Sequence, residues 1–189
     1  MNHLPKLILG ALLSSTTLIG CISDPECNPP ESLQCPGANL QNKNLEDSNL
    51  THANFNHADL SHADLSFSDL NHNWLSPDDP NRHIADFSYA NLTYADLNYA
   101  DLMDVNLSWA NLTNAFLLDT DLSLANLVHS NLSNAILVSA DLEDANLSWA
   151  NLTNADLSFA NLKGASLINA DLSFADFSGA TMPDGSIHD

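Results

Sequence analysis

The stretch ADLEDANLSWANLTNADLSFANL, residues 140–162, places Leu at 142, 147, 152, 157 and 162 and Ala two positions before each of them. A helix repeats about every 3.6 residues and a strand every second residue, so a strict period of five fits neither element. Working outward, Leu or Phe recurs at every fifth position from Leu40 to Leu75 and again from Phe87 to Phe177, with Met182 closing the series. That makes eight repeats before a gap and twenty after it, or 28. A fixed short period of this kind is the signature of a solenoid, in which each unit buries its apolar residue only against its neighbours.

The pattern A(D/N)LXX resembles the pentapeptide-repeat family, and the resemblance runs over nearly all of residues 37–183. It implies an all-β fold, a right-handed quadrilateral parallel β-helix with four repeats to a coil and about seven coils. At a strand spacing of ~4.8 Å such a rod is roughly 34 Å long. The Leu and the small residue two before it point inward by the same resemblance, so Ala110 and Ala150 are core positions and Asn114 is an outward one. Both ends of the stack need caps, because open coils are exposed sheet edges. The C-terminal stretch GATMPDGSIHD, with residues 184–189 as its tail, reads as a short polar stop.

Residues 1–20 have a different composition. Lys6 precedes the apolar run Leu7–Leu13, too short to span a bilayer, which reads as a secretory signal. Leu18-Ile19-Gly20-Cys21 resembles the lipobox of bacterial lipoproteins, in which cleavage precedes the Cys and the Cys is lipidated; an ordinary signal with a chance Cys is the alternative. Ile22 rather than Asp after Cys21 resembles lipoproteins sorted to the outer membrane, so the expected location is the cell envelope, at the outer membrane or cell surface. Residues 21–36 form a linker and cap. Cys27 and Cys35 remain as a pair, and in an oxidising compartment an even remainder reads as a disulfide closing a Pro-rich lid, against two free thiols or metal ligands.

The gap holds SPDDPNRHI, residues 76–84, with loop composition. The step from Leu75 to Phe87 is twelve residues, which accommodates either two repeats plus two residues or one repeat plus an inserted loop at 78–84. The inserted reading divides the rod into blocks at 37–77 and 85–183. Members of the family that protect gyrase use such loops for partner contact, which makes Arg82 and His83 candidates by resemblance; a tolerated surface bulge is the alternative.

With 24 acidic and 4 basic residues and a net charge of −20, the chain lacks the Lys and Arg that nucleic-acid binding needs. An apolar content of 44% places it among folding chains rather than acidic disordered tails. Residues twenty apart stack on one side of a four-repeat coil, so outward residues form ladders. Asn91, Asn111, Asn131 and Asn151 with the hydroxyls beyond them read as structural, bonding to their own copies. Tyr89, Trp109, His129 and Trp149 form an aromatic ladder, either a stiffener or a site for a sugar or peptide. Asp101, Asp121 and Asp141, with Asp104 and Asp144, form an acidic ladder that is solvated or loosely holds a divalent cation. His52 over His72 is a candidate metal pair without an evident third ligand.

No nucleophile, base and orienting group converge by any spacing, and a solid rod has no pocket, so the chain reads as a non-enzyme with no cofactor. The repeat is broken in NAFLLDT, residues 114–120, where Phe116 and Leu118 replace polar residues, and again twenty residues later at Ile136 and Val138. These four are expected to form one apolar patch that binds a protein partner or a second copy, with Leu124 and Val128 widening it. Two other function classes stand beside a lipid-anchored scaffold: an unexported DNA-mimicking rod that binds gyrase or a similar enzyme, and an envelope lipoprotein that binds metal or ligand.

Overall fold

The computed structural model describes residues 34–50, 53–70 and 84–189. The repeat beginning at Ala115 shows how each unit is built. Ala115 and Leu117 are fully buried, and Phe116 between them faces out. The Phe116 N–H donates to the Ala95 carbonyl of the preceding coil (2.9 Å), and the Leu117 N–H donates to the Ile136 carbonyl of the following one (2.7 Å). Each repeat thus contributes one rung to a ladder above and one below. Two residues then turn the corner, closed by the Thr120 N–H donating to the Leu117 carbonyl (3.4 Å). The third residue of that turn, Asp119, has φ 50, and its counterparts around the described coils are likewise positive. A bend from one straight side to the next therefore uses a β-turn of the type II class, which needs φ > 0 at this place.

Parallel bridges link the outward residue before each centre into four ladders. On the first side Gln34 pairs with Asn54, Asn54 with Asp86, and the series continues through Asn106, Asn126 and Asn146 to Ser166. The second side runs from Asn39 to Asp171, the third from Asn44 through Phe116 and Ile136 to Asp176, and the fourth from Asn49 to Thr181. The result is a right-handed quadrilateral parallel β-helix of seven described coils, its interior a continuous column of Leu and Phe over Ala. Where a hydroxyl replaces Ala it is satisfied in place. Ser68 and Ser130 donate to the Leu65 and Leu127 carbonyls (2.6 and 2.7 Å) and Thr120 to the Leu97 carbonyl (2.8 Å), so no buried polar group is orphaned there.

The described coils begin one repeat earlier than the count by period. Cys35, fully buried and disulfide-bonded, is the centre of the first repeat. It is therefore part of the core and not of a lid over it. The first-side ladder passes directly from Asn54 to Asp86, and Leu75 lies outside the described residues. A regular coil has twenty residues and this step has 32, so one coil carries twelve extra residues, and the regular chain resumes at the buried pair Ala85 and Phe87. The boundary at residue 77 and the insert at 78–84 fall almost wholly on residues outside the described ones. Residues 71–83 themselves, with Arg82, His83 and His72, lie outside the described residues, as do Cys21, Cys27 and His52.

The C-terminal tail is more than a polar stop. It folds back so that Ile187 pairs antiparallel with Thr181. The Met182 N–H donates to the Ser186 carbonyl (2.7 Å) and the His188 N–H to the Ala180 carbonyl (2.8 Å), which covers the fourth side of the last coil.

Candidate functional site

The outward Asp and Asn of the repeat have a local task. In most repeats the carboxylate or amide oxygen accepts the N–H of the residue two further on, as Asp121 does from Ser123 (2.9 Å), Asn131 from Ser133 (3.1 Å) and Asp156 from Ser158 (3.0 Å). The bond satisfies a corner N–H that faces outward. Ser and Thr hydroxyls reinforce it: Thr113 and Thr153 donate to Asn111 and Asn151 at 2.7 and 2.6 Å. Hydroxyls therefore bond mainly within their own repeat, with one contact between copies on this side, Thr113 to Ser133 at 3.4 Å. Amide-to-copy bonds occur on the first side, where Asn126 donates to Asn106 (3.2 Å) and Asn106 to Asp86 (3.0 Å).

Phe116 and Ile136 break this rule at adjacent rungs. They are bridged to each other on the third side, with Asp96 above and Asp156 below, and are 40% and 38% exposed. Neither carries the oxygen that would hold its corner. The Leu118 N–H is rescued by Asn98 of the preceding coil (2.7 Å), whereas Val138 has Leu118 at that place and finds no such acceptor. Leu118 and Val138 flank the pair, half-buried. Leu124 does not extend the patch: it stands one full side away, at the corner after the fourth ladder, over an open hollow lined by Met103, Asp121, Ser123, Asp141, Glu143 and Asp144. Val128 follows on the first side and is separate as well.

The aromatic ladder forms as a stack. Tyr89 and Trp109 lie 6.0 Å apart at 5°, Trp109 and His129 4.0 Å apart at 23°, and His129 and Trp149 6.0 Å apart at 22°. It continues upward to His57, 4.8 Å from Tyr89. Rings stacked this way cover one another's faces and leave edges to solvent, whereas a sugar docks on an exposed face. Two shorter stacks went unread in the sequence, His62 on Tyr94 (5.0 Å, 2°) and Phe67 on Tyr99 (4.9 Å, 8°). Their partners are 32 residues apart, so a twenty-residue count misses them; the twelve-residue step alone reveals the register.

Asp101, Asp121 and Asp141 are bridged in series on the fourth side. Their oxygens accept corner N–H groups from Met103 (3.2 Å), Ser123 and Glu143 (3.0 Å). Glu143 pairs with Lys163 at 2.7 Å. Among the described residues no three His, Cys, Asp or Glu side chains are grouped to hold a metal ion. The corner bonds also tune acidity. Partial burial pushes the Asp59 carboxyl up, but hydrogen bonds from the Ser61 N–H and hydroxyl, Gln41 and Asn91 outweigh it and hold the group below its ordinary value. Asp171, Asp176 and Asp184 are lowered chiefly by the Ser hydroxyls two residues on.

A family model described as pentapeptide repeats matches in eight copies, over residues 37–71, 85–108, 106–144 and 145–182. No curated protein matches the chain. Among solved structures, the pentapeptide repeat protein Rfr23 from the cyanobacterium Cyanothece 51142 is 29% identical, with 82% of this chain and 90% of that one covered and a TM-score of 0.47. HetL, a pentapeptide repeat protein involved in heterocyst differentiation regulation from the cyanobacterium Nostoc sp. strain PCC 7120, is 29% identical, over 84% and 94% of the two chains, with a TM-score of 0.25. Full-length QnrB1, a plasmid-mediated fluoroquinolone resistance protein, is 19% identical over 77% and 80%, with a TM-score of 0.32. The five-residue period, the four ladders and the family model agree, and the chain belongs to the pentapeptide-repeat family.

Proposed function

We propose that the chain is an exported rod, lipid-anchored through Cys21, that acts as a non-catalytic scaffold at the cell envelope and holds a protein partner on the patch of Phe116, Leu118, Ile136 and Val138. One observation carries this reading. At two stacked rungs the sequence gives up the Asp or Asn that holds the corner in most repeats, and places half-exposed apolar side chains there. Each corner bond is worth about 0.5–1.5 kcal/mol, so the substitution sacrifices stability for a surface, as binding sites commonly do. Phe116→Asn with Ile136→Asn restores both acceptors. The double variant is expected to melt at or above the parent's temperature while a photo-crosslinker at Leu118 loses its partner adduct in intact cells. A lower melting temperature with an unchanged adduct places the contact elsewhere.

The anchor is tested separately. Cys21→Ala is expected to abolish palmitate labelling and release the protein from the membrane fraction. The long acidic sides favour a second reading, a DNA-mimicking rod. That reading takes precedence if the chain is recovered from the cytoplasm with residues 1–20 intact.

A further inference from the structure

The third side of the rod offers a partner no strand edge. Around the patch the ladder N–H groups are spent on neighbouring coils: Phe116 donates to the Ala95 carbonyl, Leu117 to Ile136, Ile136 to Ala115 and Leu137 to Asp156. An extended segment laid on this face leaves its own backbone groups without ladder partners. A helix satisfies its backbone internally and docks by side chains alone. One donor does face outward within the apolar area, the Val138 N–H, which has no acceptor among the described residues.

Charge selects among helices. On the third-side ladder the two apolar rungs lie between Asp96 above and Asp156 below, and Asp119 stands exposed at the corner beside them. No Lys or Arg among the described residues neighbours the patch: Lys163 is held by Glu143 on the fourth side, and Lys43 belongs to the first coil. In a chain of net charge −20, a second copy laid on this face sets these carboxylates against their own kind. A basic partner meets them instead.

Asp96 and Asp156 are three rungs apart on one ladder, which is about 14 Å at ~4.8 Å per rung. In a helix lying along the rod, residues about eleven apart return to the same face roughly 16 Å further on, within reach of both carboxylates for long Lys or Arg side chains. Apolar residues at about the fourth and seventh places after the first basic one fall between, over Phe116 and Ile136.

We infer, on the footing of the patch proposed above, that its occupant is an amphipathic helix of another protein, laid along the rod. Its apolar pair covers Phe116, Leu118, Ile136 and Val138, and its two bracketing basic residues meet Asp96 and Asp156.

The probe is a synthetic Ala- and Gln-based helical peptide with Lys, Leu, Leu and Lys at intervals of about four, three and four residues, labelled and titrated onto full-length protein in mild detergent. Moving both Leu to the opposite face, at unchanged charge, is expected to weaken binding at least tenfold. Asp96→Asn with Asp156→Asn is expected to do the same and to flatten the salt dependence. Asn keeps the oxygen that accepts the Asn98 and Ser158 N–H groups, both at 3.0 Å, so the corners survive. Asp59→Asn with Asp171→Asn removes the same two charges from the second side and is expected to leave the affinity within about twofold of the parent's. Failure of the parent to bind, equal binding of the displaced-Leu peptide, and an Asp96 and Asp156 change no more costly than the Asp59 and Asp171 one each overturn the proposal. Phe116→Asn with Ile136→Asn is expected to abolish peptide binding. If that variant loses the Leu118 adduct in cells but still binds the peptide, the patch stands and the basic helix falls; if the adduct too is unchanged, the patch itself falls.

Discussion

Ala150→Leu is expected to destabilise the rod by about 1–3 kcal/mol, which for a chain of this size lowers the melting temperature by roughly 2–4 °C per kcal/mol. Ala150 is 1% exposed and stands between Leu147 and Leu152 in a column already filled by its neighbours above and below. Three further carbon atoms there have no void to enter. The coil either spreads, stretching the rungs that the Ala150 carbonyl and the Leu147 N–H make with Asp171 and Ser166 (2.9 and 2.8 Å), or forces side chains off their rotamers. In a solenoid the damage passes to both neighbouring interfaces.

The matched outward change, Asn114→Leu, separates phase from bulk. Asn114 faces solvent, as the period implies, but its φ of 58 lies in the left-handed region, which Asn tolerates better than Leu. The change is therefore not free, as outward position alone would suggest. Leu124 occupies the same place two corners along at φ 61, so the cost is expected to stay below about 1 kcal/mol. Equal melting temperatures for the two variants, followed by circular dichroism, contradict the assignment of inward and outward positions.

What the sequence disclosed follows from which residues the fold constrains. Inward positions admit one size of side chain each, so Leu and Ala recur and the phase reads directly. The corner position is constrained in backbone and not in side chain. It holds Trp109, Asn114, Asp119 and Leu124 in succession, and only Gly37, Gly164 and Gly179 at the same place betray the positive φ. Cys35 escaped the count because Leu was sought at the centre. The patch at Phe116 and Ile136 was legible because it breaks, at two stacked rungs and in the apolar direction, a rule that most repeats keep. What made the break costly, the loss of corner acceptors, needed the hydrogen bonds.

Tyr94→Ala combined with Tyr99→Ala is expected to release the first two coils from the rest of the rod. The step from Asn54 to Asp86 is twelve residues longer than a regular coil, and closing the longer segment costs chain entropy that no other described coil bears. The three remaining corners of that junction each carry a ring pair, His57 on Tyr89, His62 on Tyr94 and Phe67 on Tyr99. Inside, Phe55 meets Phe87 at 4.9 Å. No other junction between described coils is ringed in this way, so the aromatic pairs offset the interruption by clamping coil two to coil three. Each pair contributes about 0.5–1.5 kcal/mol beyond the area it buries, so removing two costs roughly 1–3 kcal/mol at a single interface. Two coils without a firm neighbour have little core of their own. The amides of Leu40, Leu60 and Leu65 should then lose hydrogen-exchange protection at least tenfold, while those of Leu132, Leu137 and Leu152 keep theirs. Trp109→Ala removes a ring of similar exposure from an uninterrupted coil and should lower overall stability without that local release. Uniform loss of protection along the rod in the double Tyr variant, or the same selective release in Trp109→Ala, means that the stacks stiffen every coil alike and that the junction has no clamp.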